Sequence, residues 1–320
     1  MNRLLRALAV SVCLTGAAAQ AADFPTRPIT VVVPFAPGGG LDVTTRIVAP
    51  DVTKRLGQQV VVENRGGAGG AIGAELVSRA APDGYTLLVY ASTATIDPSL
   101  RPKLKYDFRR DFVPVTILVQ TPYVLLVNPQ LPMTTVADVI AYARKNPGKV
   151  FFGSPGIGTI GHLTAELFKA AAKVELTHIP YKGSGPAILA VVTNETQVSF
   201  ETPLQTYDMV RAGKLRAVGI SSKERWPTLP EVPAISETVP GFESVAWIGL
   251  FAPAGTPKEV VQQLYRAFAG AVNSGDTQEK IVRGGMRSVG NTPDEFASRI
   301  ATEIPIWAKV ISDAKIKLED

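Results

Sequence analysis

The sequence predicts an α/β protein of two lobes, each a mostly parallel sheet flanked by helices, with a cleft between them. Three observations carry the prediction. Apolar runs of strand length alternate with amphipathic helical runs along almost the whole chain, the pattern of layered α/β folds. The 320 residues exceed what one core usually serves, and a hydrophobic content of 46% supplies two. Residues 257–312 read as helices with no sheet of their own, so this tail has to pack back on the first lobe.

The elements follow in order. "PITVVVPF" is a strand leading into a helix from Asp42 to Leu56, and "QVVVEN" leads through "RGGAGG" to a helix from Ala71 to Ala80. Pro82-Asp83-Gly84 is a turn before the strand "YTLLVYA". A second set opens after Pro114 with strand "YVLLVN", helix "TVADVIAYARKN" capped by Thr134 or Thr135, strand "KVFFGS" and a helix from Thr159 to Ala172. Strand "VELTHIPY", helix "GPAILAVVTN" with Ser184 as N-cap, strand "QVSFE", a helix to Arg211 and strand "LRAVGIS" complete that set. After a Pro-rich loop from Trp226 to Pro240, "SVAWIGLFAPAG" returns the chain to the first lobe, ahead of helices 257–274, 276–284 and 293–312. The lobes are therefore residues 22–118 with 248–320, and residues 119–247, joined by two crossings that make a hinge where Trp247 packs. Pro50 falls mid-helix and predicts a kink or an early stop at Ala49.

The first 21 residues place the protein. Arg3 and Arg6 precede an apolar run from Ala7 to Ala19, and Ala19-Gln20-Ala21 offers a small-x-small cleavage site, so a secretory leader cut near Ala21 and a periplasmic destination are expected. The only cysteine, Cys13, leaves with it, so no disulfide, thiolate nucleophile or Cys-based metal site is expected. Losing Arg3 and Arg6 leaves 31 basic against 28 acidic residues, evenly spread, which excludes nucleic acid as a partner.

The chemistry concentrates in two glycine loops. Ala36-Pro37-Gly38-Gly39-Gly40 and Ser154-Pro155-Gly156-Ile157-Gly158 each join an apolar strand to an amphipathic helix, at an offset of 118 residues. Such a junction offers unpaired backbone N–H groups and the positive end of a helix dipole to one anion. A phosphate loop would need G-x-x-x-x-G-K-[ST], which is absent, and Gly67-Ala68-Gly69-Gly70-Ala71-Ile72-Gly73 has the wrong spacing for a dinucleotide fingerprint and no ribose-binding acid after the next strand. No nucleotide cofactor is therefore expected. The alternatives are a carboxylate held between both loops, or two plain strand-to-helix turns; the repetition favours the carboxylate.

Around these loops, His162 stands in the first turn of its helix, placed to donate to a ligand, whereas His178 reads as a packed strand residue. His162 with Glu166 supplies only two metal ligands, so no metal site is expected. Ser154 with His162 suggests a hydrolase, but Pro155 removes the amide where an oxyanion donor belongs, and no G-x-S-x-G elbow exists. Asp42 is expected to cap Thr44 or Thr45 and to pair with Arg46. Tyr181 offers a cleft-lining ring and hydroxyl, with core packing as the equal alternative, and Ser92 and Thr93 offer hydroxyls at the carboxyl edge of the first sheet.

"RPITVVVPFAPGGGLDVTTR", "LGQQVVVENRGGAGGAIGAE", "PDGYTLLV", "GSPGIGTIGHLTAELF", "HIPYKGSGPA", "AGKLRAVGIS", "VPAISE", "WIGLFAPAGTP" and "PDEFA" occur in the order seen in Bug-type extracytoplasmic solute receptors of tripartite tricarboxylate transporters, which the chain resembles over essentially its whole mature length. The resemblance implies a periplasmic binding protein of the Venus flytrap type, a monomer and not an enzyme, that delivers a small carboxylate ligand to the permease subunits. It also implies ligand contacts from Phe35, Ala36, Pro37, Gly38 and Gly39 in one lobe and from Ser154, Gly156, Gly158, Thr159 and His162 in the other. The stretch "QVSFETPLQTYDMVRAG" is shorter than the family pattern, and there Glu201 is expected to face the cleft and meet a hydroxyl or ammonium group. A ligand sensor for a signalling partner is the rival function.

Overall fold

A computed structural model describes residues 24–318; the expected leader, residues 1–21, lies outside the described residues. The chain builds two sheets. The first contains β1 (Ile29–Val33), β2 (Val60–Asn64), β3 (Thr86–Ala91) and β4 (Phe112–Pro122), and the second contains β5 (Val124–Val127), β6 (Phe151–Ser154), β7 (Thr177–Pro180), β8 (Val198–Glu201) and β9 (Arg216–Ile220). β10 (Val245–Pro253) and the two-residue β11 (Arg287–Ser288) then return to the first. Helices α1 (Gly40–Leu56), α2 (Ala71–Ser78), α3 (Asp97–Leu100), α4 (Val136–Lys145), α5 (Ile160–Ala172), α6 (Ser184–Val192), α7 (Pro203–Arg211), α8 (Lys258–Val272), α9 (Gly275–Arg283) and α10 (Pro293–Asp313) fill the connections.

The sheet orders are β11-β4-β10-β3-β1-β2 and β7-β6-β8-β5-β9. In both, one strand lies between the next two in sequence and pairs parallel with each: β1 with β2 and β3, β6 with β7 and β8. That arrangement puts a topological switch point at the carboxyl ends of β1 and β3, and another at the ends of β6 and β8, where α/β sheets leave a crevice. The remaining pairings are antiparallel, because the crossing strands run back across each sheet.

Two elements differ from the sequence reading. β4, an 11-residue strand, carries the chain in the first sheet to Pro122, where the sequence analysis had assigned no strand. Its residues Val115 to Val119 are all buried, so it shows the continuous apolar run of a doubly covered strand instead of an alternation. α1 continues through Pro50 to Leu56, so the early stop does not occur; Pro50 costs one backbone hydrogen bond, while Val48, Ala49 and Val52 stay buried and hold the helix to the sheet.

α10 ties the tail to both lobes. Its Phe296 packs on Trp247 and Phe251 of β10. Further along, Trp307, Val310 and Ile311 join Ile96 of the first lobe and Leu163 of α5 in one apolar cluster. Trp247 is buried as expected at the crossing, and its indole N–H donates to Glu303 Oε2 at 3.0 Å. Gly249 of β10 leaves room for the Phe296 ring, which a Cβ there would overlap. Gly249→Ala is therefore expected to destabilise the protein by about 1–3 kcal/mol, read as a lower urea midpoint with an unchanged m-value; an unchanged midpoint would show that α10 shifts freely.

Candidate functional site

The carboxyl edges of the two sheets face each other across one cavity. It has a volume of about 210 Å³ and is lined by Phe35, Gly69, Thr93, Ile96, Asp97, Leu100 and Arg101 from the first lobe, Ile157, Gly158 and Thr159 from the second, and Leu318 from the tail. Phe35, Thr93, Gly158 and Thr159 were expected here. At Gly158, which has φ +76°, an added Cβ would lie 2.8 Å from Leu100 Cδ1 and 3.0 Å from Leu318 Cδ2, so the absence of a side chain is what lets the second loop meet the first lobe.

Hydrogen bonding inside the loops changes the roles expected of several residues. The Gly38 N–H donates to Asp42 Oδ2 at 2.9 Å, and Arg46 Nε donates to Asp42 Oδ1 at 2.9 Å. Asp42 thus folds the loop back on α1 instead of capping Thr44 or Thr45, and the arginine holds its carboxyl below the usual carboxylate range despite burial. The Gly156 N–H donates to Ser154 Oγ, and the Gly158 N–H donates to His162 Nδ1 at 3.1 Å. These three amides are occupied by the chain. Among the described residues, the N–H groups of Ala36, Gly39 and Ile157 have no intramolecular acceptor. Pro37, with no N–H, sits on the exposed rim between Ala36 and Gly38.

His162 pins the second loop. It is buried, and its ring stacks on His178 at 3.8 Å between centroids, with Phe152 continuing the stack beyond His178. Accepting from Gly158 assigns the neutral ring's proton to Nε2, which faces Glu166 Oε1 at 3.8 Å. Burial and the neighbouring His178 hold His162 down to about 3, so both rings are neutral at pH 7. His178, read as a packing residue, also bonds Ser154 Oγ at 2.6 Å. The serine is fully buried and partnered by His178, so the Ser154–His162 pair of the hydrolase reading is not formed and no substrate reaches its Oγ.

Tyr181 is a second correction. Its ring lies over Gly153 and its hydroxyl donates to Glu195 Oε1 at 2.9 Å, away from the cavity. Ser92 is buried beneath Thr93, and its Oγ has no partner among the described residues. Glu201 ends β8 opposite Val124; its neighbours Val198 and Phe200 join the α5-side core, so alternation puts Glu201 on the α6 face. Its Oε1 is buried without a partner.

Sequence reasoning missed Ile96, Leu100, Asp97, Arg101 and Leu318. The signal available was the Asp97/Arg101 pair at i, i+4 in "DPSLR", a spacing that does not distinguish it in sequence from an ordinary helix-surface pair.

Burial pushes the Glu201 carboxyl up to about 7, while the Ser184 hydroxyl draws it back. The folded value lies above the ordinary 4.5, so folded protein holds the proton longer, and stability is lost as pH rises from about 4.5 through about 7. Glu201→Gln is expected to be more stable than wild type above pH 7, by about 2–3 kcal/mol, with the gap closing toward pH 4.5. Paired thermal melts across pH check this; a gap independent of pH would refute the assignment.

Residues 44–316 match the family described as the tripartite tricarboxylate transporter family receptor. The chain is 37% identical to Protein BugT of Bordetella pertussis, covering 100% of this chain and 99% of that one. It is similar to the structure of R. palustris Rpa4515 with adipate, at 35% identity and a TM-score of 0.75, covering 92% of this chain and 99% of that one. It is likewise similar to MatC from Rhodopseudomonas palustris with bound malate, at 34% identity and a TM-score of 0.71, covering 90% of this chain and 100% of that one. With the sheets and these likenesses together, the chain belongs to the tripartite tricarboxylate transporter receptor family, whose members are solute-binding receptors and not enzymes.

Proposed function

We propose that the protein captures a small organic acid between its two glycine loops in the periplasm, as a monomer, and delivers it to the permease subunits of a tripartite transporter. The observation that carries this reading is the cavity shared by Phe35 and Thr93 of one lobe with Gly158 and Thr159 of the other. The unengaged amides of Ala36, Gly39 and Ile157 supply donors for a carboxylate, and α1 and α5 start beside them, each dipole adding about 0.3–1 kcal/mol. Thr93 supplies a hydroxyl from the first lobe at the cavity wall, while Ser92 and Glu201, buried outside the lining, each keep an oxygen without a partner. The adipate and malate held by two relatives fit the same size and charge class.

Capture works by closure. The moving bodies are the lobes expected from the sequence, and an acid that touches both loops favours the closed arrangement by the difference in its affinity for the two forms. Isothermal titration against a panel of carboxylates, with phosphate and sugars as controls, tests the reading: heat from phosphate or sugars alone would overturn it. Gly158→Ala is expected to weaken every bound acid at least tenfold, since its methyl would stand between Leu100 and Leu318 where the lobes meet. Wild-type affinity in that variant would place the ligand elsewhere.

A further inference from the structure

Arg101 and Asp97 are the charged residues lining the inter-lobe cavity. The guanidinium of Arg101 lies on the backbone of Gly69, to whose carbonyl Nη1 donates at 3.0 Å. An added Cβ at Gly69 would fall 2.5 Å from both Nη1 and Nη2, so the planar head rests flat where a side chain would otherwise stand. Gly69 itself has φ +64° and lines the cavity with Phe35 and Thr93, which fixes the charged head at this cavity. On its other side, Nε faces Asp97 Oδ1 at 3.7 Å, and Asp97 is in turn buried and accepts from the Tyr90 hydroxyl at 3.0 Å.

Nη1 is therefore held by a hydrogen bond and Nε is ion-paired without one, while Nη2 has no acceptor among the described residues, and the side chain keeps 34% of its surface exposed. A guanidinium clamped in this way loses little freedom on binding and presents parallel N–H groups to a carboxylate. The free amide of Ile157, on the second lobe's side of the cavity, can serve one carboxylate without any cation. Arg101 is left for a second.

We propose that Arg101 is a specificity-determining residue that binds a second acidic group of the ligand, so that the protein prefers dicarboxylates over monocarboxylates of the same length. This rests on the reading that the cavity takes an organic acid. Asp97 and Gly69 act as positioning residues: the first anchors the guanidinium from below, the second provides the bare backbone it lies on.

The test is isothermal titration of the full mature protein with matched pairs, succinate against butyrate, adipate against hexanoate and suberate against octanoate. Wild type is expected to bind the best diacid at least tenfold more tightly than its monoacid. Arg101→Gln is expected to abolish that ratio by weakening the diacid at least tenfold while leaving the monoacid within about twofold. Gly69→Ala keeps the charge but displaces the guanidinium, and is expected to reduce the ratio in the same direction. Retention of diacid preference in both variants, or equal weakening of diacid and monoacid, would overturn the role of Arg101. Equal binding of diacids and monoacids by wild type would overturn it too, with acid capture intact. No heat from any acid would overturn acid capture and the role of Arg101 together.

Discussion

Apolar packing of α10 against both lobes sets the distance across which everything else acts. Trp307, Val310 and Ile311 share one buried cluster with Ile96 of the first lobe and Leu163 of the second, with Leu100, Ile160, Leu167 and Ile316 around it. Each large side chain buried in this way is worth about 1.5–3 kcal/mol, well above an exposed ion pair. Packing therefore brings Phe35 and Thr93 of the first lobe to the same cavity as Ile157, Gly158 and Thr159 of the second. The other half of α10 lies on the crossing strands, where Arg299 donates to Glu303, to Gln120 of β4 and to the Val245 carbonyl of β10. One helix thus touches the hinge at one end and the cavity wall at the other.

The loops themselves combine rigidity with vacancy. Asp42, Ser154 and His162 each accept an amide of their own loop, which fixes the backbone before any solute arrives. A cradle already ordered loses less entropy on binding than one that must be organised by its ligand. The stacked pair of His162 and His178 serves this end as two neutral rings, since a second positive charge at 3.8 Å in a buried place would be strongly disfavoured. On the proposed reading, the amides left over recognise the carboxylate by backbone geometry, and a few side chains recognise the remainder of the molecule.

Those side chains are of two kinds. Arg101 is held from outside the core and stays partly exposed, whereas Glu201 and Ser92 are buried with an oxygen unpaired. A buried polar atom without a partner is costly unless something later supplies one. Positions of this sort at two topological switch points, one per lobe, are where an α/β binding protein can vary its solute without disturbing its sheets.

Much of this was legible along the chain. The strand-glycine-helix junctions at residues 34–42 and 152–162 announced themselves through local chemistry, because glycines at such a turn and an amphipathic run behind it are dictated by neighbours in sequence. So was the mixed α/β architecture of two sheets flanked by helices. β4 was illegible because a strand covered on both faces loses its alternation, and Asp97, Arg101 and Leu318 because nothing near them in sequence says what they face. The direction of Tyr181 toward Glu195 and the claim of His162 on the Gly158 amide were likewise decided by packing. The sequence by itself determined the elements, their order and the two places where an anion could be cradled, since those follow from short-range backbone preference and periodicity. Only the tertiary structure decided which amides remain free and which charge looks into the cavity, since the first depends on side-chain directions set by packing, as the stack on His178 sets His162, and the second on distant contacts such as that of Arg101 with Gly69.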